Sequence, residues 1–420
     1  MLRGENRVVL ASPLVLAFSA PSAAPRENPH SNPAFPLFKT IPARVKHQPV
    51  KHYRDDHQLP RTNSKFFQNL PFPLLFFLNR PPSGFDNMRL KFIVLVLPLL
   101  GASLARGQQA PAPELRSGDH VALIGGTLAD RFQHSGWLET YLYTKYPDLD
   151  LVFRDLAVPA DEVVLRVRPE NFGSPDDWLT RVKADVIFAF FGFNESFQGR
   201  AGLPKFKADL DSFLKTTLEK NYSGKGHPRI VLFSPIANER TQDPNFPDPA
   251  ANNANIREYA SVMAQVARDN GVPFVDLFTP SQQMFAAAAK RGQSLTIDGL
   301  QLGEEGDKSL ARAILQAFPG GQSLAAKGEV KALNEERLRA AVNDKNAQWE
   351  ARYRTIDGNN VYGGRSSLSY APGHNMVGDR NAPSPYISNF EVMQEEMAQR
   401  DTLTANRDQH IWGLAHGRDL

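Results

Sequence analysis

The stretch Val121-Ala122-Leu123-Ile124-Gly125-Gly126-Thr127-Leu128-Ala129-Asp130 decides how this chain is read. Four apolar residues form a continuous run that stops at two glycines. Such a run suits a strand covered on both faces. A helix opens at Thr127. The residue after the glycines then stands at the carboxyl end of a strand and at a helix amino terminus, where open α/β sheets place their ligands. Unpaired N–H groups at a helix start also favour developing negative charge.

The same alternation continues on the carboxyl side. After His120–Ile124, further candidate strands are Leu149–Arg154, Ala184–Phe191, Arg229–Ser234 and Pro273–Leu277. Between and after them lie helical stretches: Leu128–Lys145, Trp178–Val182, Leu203–Glu219, Asn253–Asn270 and Glu304–Ala317. Strands alternating with helices predict an α/β sandwich with a mainly parallel sheet over residues 117–319. Past Gly320-Gly321, residues 325–420 read as a helical appendage or second lobe. Its helices are expected over Lys327–Tyr353 and Asn389–Asn406, separated by a Gly/Asn-rich loop and a Pro/Gly/Asn-rich stretch to Pro385.

On the amino side, residues 106–116 read as a linker. Before them, Arg89 and Lys91 precede the apolar run Phe92–Leu100 and the small residues Gly101, Ala102, Ser103 and Ala105. This is the layout of a secretory signal peptide over 88–105, too short for a comfortable transmembrane helix. Export to the periplasm or the medium is therefore expected, with Met88 as the start. Repeated prolines over 1–87 interrupt any regular period, so that part is expected to be disordered or a mispredicted extension. The competing reading is an N-terminal anchor behind a disordered tail. Amino-terminal sequencing of the mature protein separates the two.

Composition narrows the function. The chain has 420 residues, 41% hydrophobic and 22% charged, which gives room for a substantial core. A formal net charge of +3 gives no reason to expect a nucleic-acid partner. With no cysteine, disulfides, thiolate metal sites and a cysteine nucleophile are excluded. Neither a Walker loop nor a G-x-G-x-x-G fingerprint is present, and no histidine pair stands at metal-ligand spacing on a helix.

Four separated blocks end strands or start helices: Gly125–Leu128, Asp155–Glu162, Gly192–Ser196 and Asp298–Leu302. Their order and spacing over about 118–318 resemble the SGNH (GDSL-type) hydrolases, and more closely an exported bacterial subgroup of them. The resemblance implies a three-layer α/β/α flavodoxin-like fold and hydrolysis of ester bonds without a cofactor. An esterase or a deacetylase acting on a small-molecule or carbohydrate ester is the activity it implies. It places Thr127 at the nucleophile position, Ala160 and Asn194 at the oxyanion-hole positions, Asp298 at the acid position and Gln301 at the base position.

The departures bear on activity. Threonine replaces serine at 127, alanine replaces glycine at 160, and glutamine replaces histidine at 301. A hydroxyl attacks an ester only if a group takes its proton, and glutamine cannot serve as that group. Glu195 and His134 are the alternative bases. Each residue also has a structural reading. Thr127 can be a helix cap, Asn194 and Asp298 turn residues, Glu195 a paired carboxylate and His134 a surface histidine. A non-catalytic member that binds glycans or serves as a scaffold is the rival expectation.

Overall fold

The computed structural model describes residues 111–169, 171–322, 329–355, 358–366, 368–371, 374–377 and 387–418. The expected extension over 1–87, the signal peptide over 88–105 and the first part of the linker lie outside the described residues. Among the described residues, no helix is long and apolar enough to cross a membrane.

In chain order the first elements are β1 (His120–Gly125), α1 (Thr127–Ser135), α2 (Trp137–Lys145) and β2 (Val152–Asp155). Then come α3 (Pro175–Arg181), β3 (Val186–Phe190), the single turn α4 (Phe193–Ser196), α5 (Gly199–Leu218) and β4 (Arg229–Phe233). α6 (Ala250–Asp269), β5 (Phe274–Val275), α7 (Phe278–Ala289) and α8 (Glu304–Gln316) follow. The rest of the chain adds α9 (Glu329–Tyr353), α10 (Gly358–Val361), the antiparallel pair β6 (Ser369–Ala371) and β7 (His374–Val377), and α11 (Asn389–Ala415).

The five main strands form one parallel sheet in the order β2-β1-β3-β4-β5. This is the doubly wound α/β architecture the alternation predicts. The strand order turns around between β1 and β3, which opens a crevice at their carboxyl ends. Alternate residues of β1 serve the two faces. Val121 and Leu123 join Trp137, Leu138 and Ile314 in one buried cluster. Ala122 and Ile124 join Trp178, Leu210 and Tyr259 in the other. Both faces of the sheet are therefore covered, which is why its strands read as unbroken apolar runs.

Three local expectations are corrected. The helix expected over Leu128–Lys145 is two helices, broken at Gly136. Gly136 adopts φ +70°, and a Cβ there would stand 2.2 Å from Asn343 Oδ1. Only glycine meets both conditions. Helix α7 was not among the expected helices; its Pro280 falls in the first turn, where proline is tolerated. The region between α9 and α11, read as irregular, contains α10 and the β6–β7 pair.

The C-terminal helices pack against the sheet's β2 side. Lys345 of α9 is buried and donates to Glu139 Oε2 at 2.5 Å. Arg154 of β2 makes a two-pronged pair with Asp408 of α11 at 2.5 and 3.1 Å. The outward carbonyls of the β2 segment are taken by side chains. Leu151 O accepts from Trp412 Nε1, Phe153 O from Lys345 Nζ and Asp155 O from Trp349 Nε1, at 2.8, 3.4 and 2.7 Å.

Candidate active site

The site begins where β1 ends. At Gly125 the backbone runs so close to β3 that a Cβ would stand 2.0 Å from Phe190 O, and φ is +128°. Gly126 then donates to Phe190 O at 3.1 Å and caps α1. Thr127 is therefore the first helical residue and not the cap. The cap reading of Thr127 is corrected accordingly: its hydroxyl makes no capping bond. Thr127 lines a cavity of about 130 Å³ at the carboxyl edge of the sheet.

The second block folds over this point. Val158 donates to Gly125 O at 3.1 Å, and Asp161 N closes a turn onto Val158 O at 3.0 Å. Within that turn Ala160 has φ +70°. This is the left-handed region that favours glycine. Alanine here thus holds a backbone shape that glycine adopts without strain. Asp161 lines the cavity, and both its oxygens are held by Arg168 at 2.8 and 2.6 Å.

The third block follows β3. Asn194, in the single turn α4, lines the cavity. Glu195 does not. Its oxygens accept from Gly192 N at 2.9 Å and Val163 N at 3.0 Å, so the carboxylate clasps two loops together. Burial raises its pKa. The structure gives Glu195 a backbone-clasping place.

The fourth block brings Gln301 to the cavity and leaves Asp298 beside it. Asp298 Oδ1 accepts from the main-chain N–H groups of Leu300 at 2.9 Å and Gln301 at 2.7 Å. It therefore shapes the turn and does not reach the Gln301 side chain. Glu239 fixes the block from below, accepting from Leu295 N at 3.0 Å and Thr296 N at 2.8 Å.

Two cavity residues escaped the sequence reading. Arg131 stands one helical turn after Thr127, a spacing that puts both on one face of α1. Its Nη1 donates to Gln301 Oε1 at 3.0 Å and its Nη2 to Leu302 O at 3.3 Å. Asp307 of α8 is 3% exposed, and its Oδ1 is buried without a hydrogen-bond partner. Burial pushes its pKa up to about 7, opposed first by the Ser135 hydroxyl and then by the nearby Arg131 charge. No motif spacing marks it.

His134 lies outside the cavity lining. Its ring nitrogens stand 3.9 Å from Asp130 and from Glu350, and bonding to Asp130 raises its pKa. Among the described residues, no group of three or more His, Asp or Glu side chains could hold a metal ion.

Thr127, Asn194 and Gln301, from three separate blocks, thus meet in one cavity, with the Ala160 turn alongside. Residues 99–308 match the GDSL-like lipase/acylhydrolase family model. The chain belongs to the GDSL-like lipase/acylhydrolase family. No curated protein sequence matches it.

Among solved structures it is similar to a gut microbial diltiazem-metabolizing enzyme, at 12% identity and a TM-score of 0.51. That match covers 73% of this chain and 97% of the other. An acetylxylan esterase from Geobacillus stearothermophilus matches at 18% identity and a TM-score of 0.38, over 50% of this chain and all of its own. At such identity the first is a likeness of fold alone.

Proposed function

We propose that the chain is an ester hydrolase, an esterase or deacetylase acting on a small acylated molecule such as an acylated carbohydrate. The observation that carries this reading is the meeting of Thr127, Asn194 and Gln301 in one cavity at the sheet's switch point. The Thr127 hydroxyl attacks the ester carbonyl. The Asn194 amide and the free N–H groups at the start of α1 stabilise the oxyanion. Gln301 cannot take the proton. Among the cavity carboxyls Asp161 is held by Arg168, which leaves Asp307 as the acceptor. A carboxyl with a pKa near 7 suits that role.

One observation favours a second reading. The Gln301 side chain is committed to Arg131, so the position that would hold the base instead anchors a cation. A cavity that binds and does not turn over is consistent with that.

Hydrolysis of p-nitrophenyl acetate by wild type, Thr127→Ala and Asp307→Asn separates the two. A wild-type rate above background that falls at least 100-fold in both variants supports hydrolysis. A wild-type rate equal to buffer rejects it in favour of binding.

A further inference from the structure

Two carboxyls line the cavity, Asp161 and Asp307; Asp161 is held by Arg168, and the other polar groups offer mainly donors. Thr127 offers a hydroxyl and Asn194 an amide. Gln301 uses its Oε1 to hold Arg131, so its Nε2 remains as a donor. Arg131 adds a guanidinium whose Nε is buried without a partner. Both acceptors of Arg131, Gln301 Oε1 and Leu302 O, are neutral. Among the described residues no carboxylate oxygen lies within 4.0 Å of Arg131. The remaining lining includes Phe190, Pro235 and Leu302, which are apolar. Arg131 is thus a partly buried cation whose partners are neutral, which leaves its charge available to an anionic ligand.

We propose that this cavity binds a carboxylate, and that Arg131 is the residue that selects it. The ligand is a small molecule bearing a carboxylate, either a simple acid or an acidic sugar. Arginine suits the task because its planar fork meets both oxygens of a carboxylate at once. Gln301 and Leu302 each take one N–H of that fork and fix its plane, leaving the second N–H of each Nη for a ligand.

Asp307 is the group that could have cancelled the charge. It is buried, with Oδ1 unpartnered, and it is not within ion-pair distance of Arg131. Burial holds its carboxyl partly neutral near pH 7, so it leaves the Arg131 charge open to a ligand. The inference does not need Thr127 to react. It concerns what the cavity holds.

The test is calorimetric titration of the full chain at pH 6.5 and low salt with sodium acetate, sodium D-glucuronate and D-glucose. Binding of either carboxylate, with none of glucose, is the expected result. Acetate alone points to a simple acid, and tighter glucuronate to an acidic sugar. Affinity for the bound carboxylate falls at least 10-fold in Arg131→Met. Arg131→Lys, which keeps the charge and loses the fork, falls less than Arg131→Met.

The proposal is overturned if no carboxylate binds, if glucose binds as well as glucuronate, or if folded Arg131→Met binds like wild type. Should Arg131→Met not fold, an Arg131→Lys variant that binds glucuronate more weakly than wild type but still prefers it to glucose supports selection by charge, and loss of that preference overturns it. Hydrolysis of the neutral ester p-nitrophenyl acetate is read separately. A chain that hydrolyses it without binding carboxylates sinks this inference alone. A chain that binds carboxylates without hydrolysis sinks only the hydrolase reading.

Discussion

Arg131 Nη1 donates to Gln301 Oε1 across 3.0 Å, joining the first and last blocks of the site through a cation and a neutral amide. An imidazole placed at 301 would face that guanidinium. A neighbouring positive charge disfavours the imidazolium that a working base must become. Gln301→His alone is therefore expected to raise p-nitrophenyl acetate hydrolysis by less than about 10-fold. Gln301→His combined with Arg131→Gln is expected to exceed it by a further order of magnitude. Initial rates for the two variants decide it, and equal rates would show that the guanidinium is not the obstacle.

Ala160 carries strain that glycine would not. A non-glycine residue in the left-handed region costs roughly 1–2 kcal/mol, and glycine gives part of this back through its freer unfolded chain. Ala160→Gly is expected to raise unfolding stability by roughly 0.5–1 kcal/mol, read by urea denaturation. Ala160→Val should move it the other way.

The Lys345–Glu139 pair is buried on both sides. Removing one partner leaves the other charge uncompensated, at a cost of about 3–5 kcal/mol. Lys345→Met is expected to show that loss in thermal or urea unfolding. Lys345→Met with Glu139→Gln should recover most of it, because no lone charge remains.

Asp307 links stability to pH. Its folded-state pKa is raised from 3.8 to about 7, mainly by burial. The native state therefore holds this proton more tightly than the unfolded chain does. The stabilising contribution is fully present below pH 3.8 and is lost as pH rises through about 7. Asp307→Asn, which never ionises, should gain on wild type by about 2–3 kcal/mol more at pH 8 than at pH 5. Melting curves at the two pH values check this, and a constant difference would contradict it. If Asp307 also accepts the Thr127 proton, wild-type hydrolysis rises with pH across the same range.

The sequence makes the sheet legible because both of its faces are buried, so each strand appears as an apolar run between helices. The four blocks are legible because strand ends and helix starts fall at fixed places in that pattern. Thr127, Asn194 and Gln301, drawn from three of those blocks, line one cavity. What was hidden depends on partners distant in sequence. Gly136 ends α1 partly because Asn343, in a helix two hundred residues on, fills the space a side chain would need. The clasping place of Glu195 depends on the Val163 loop, and the Asp298 turn on main-chain N–H groups. Arg131 could have been found, since it stands four residues after Thr127 on one helical face. Asp307 could not, because its chemistry comes from burial and burial has no local signature in a helix start rich in acids.

The side chains that take the carbonyls of Leu151, Phe153 and Asp155 have a consequence for how the protein behaves among its own copies. β2 is an outermost strand, and an outermost strand with open carbonyls is a template on which another chain can add a strand. Trp412, Lys345 and Trp349 occupy those positions with indole and ammonium donors, which satisfy the carbonyls without offering a ladder to extend. The C-terminal helices thus act as a guard against self-association. A chain cut after Pro319 would carry a bare sheet edge, and it should gather into sheet-linked aggregates before it loses its parallel core.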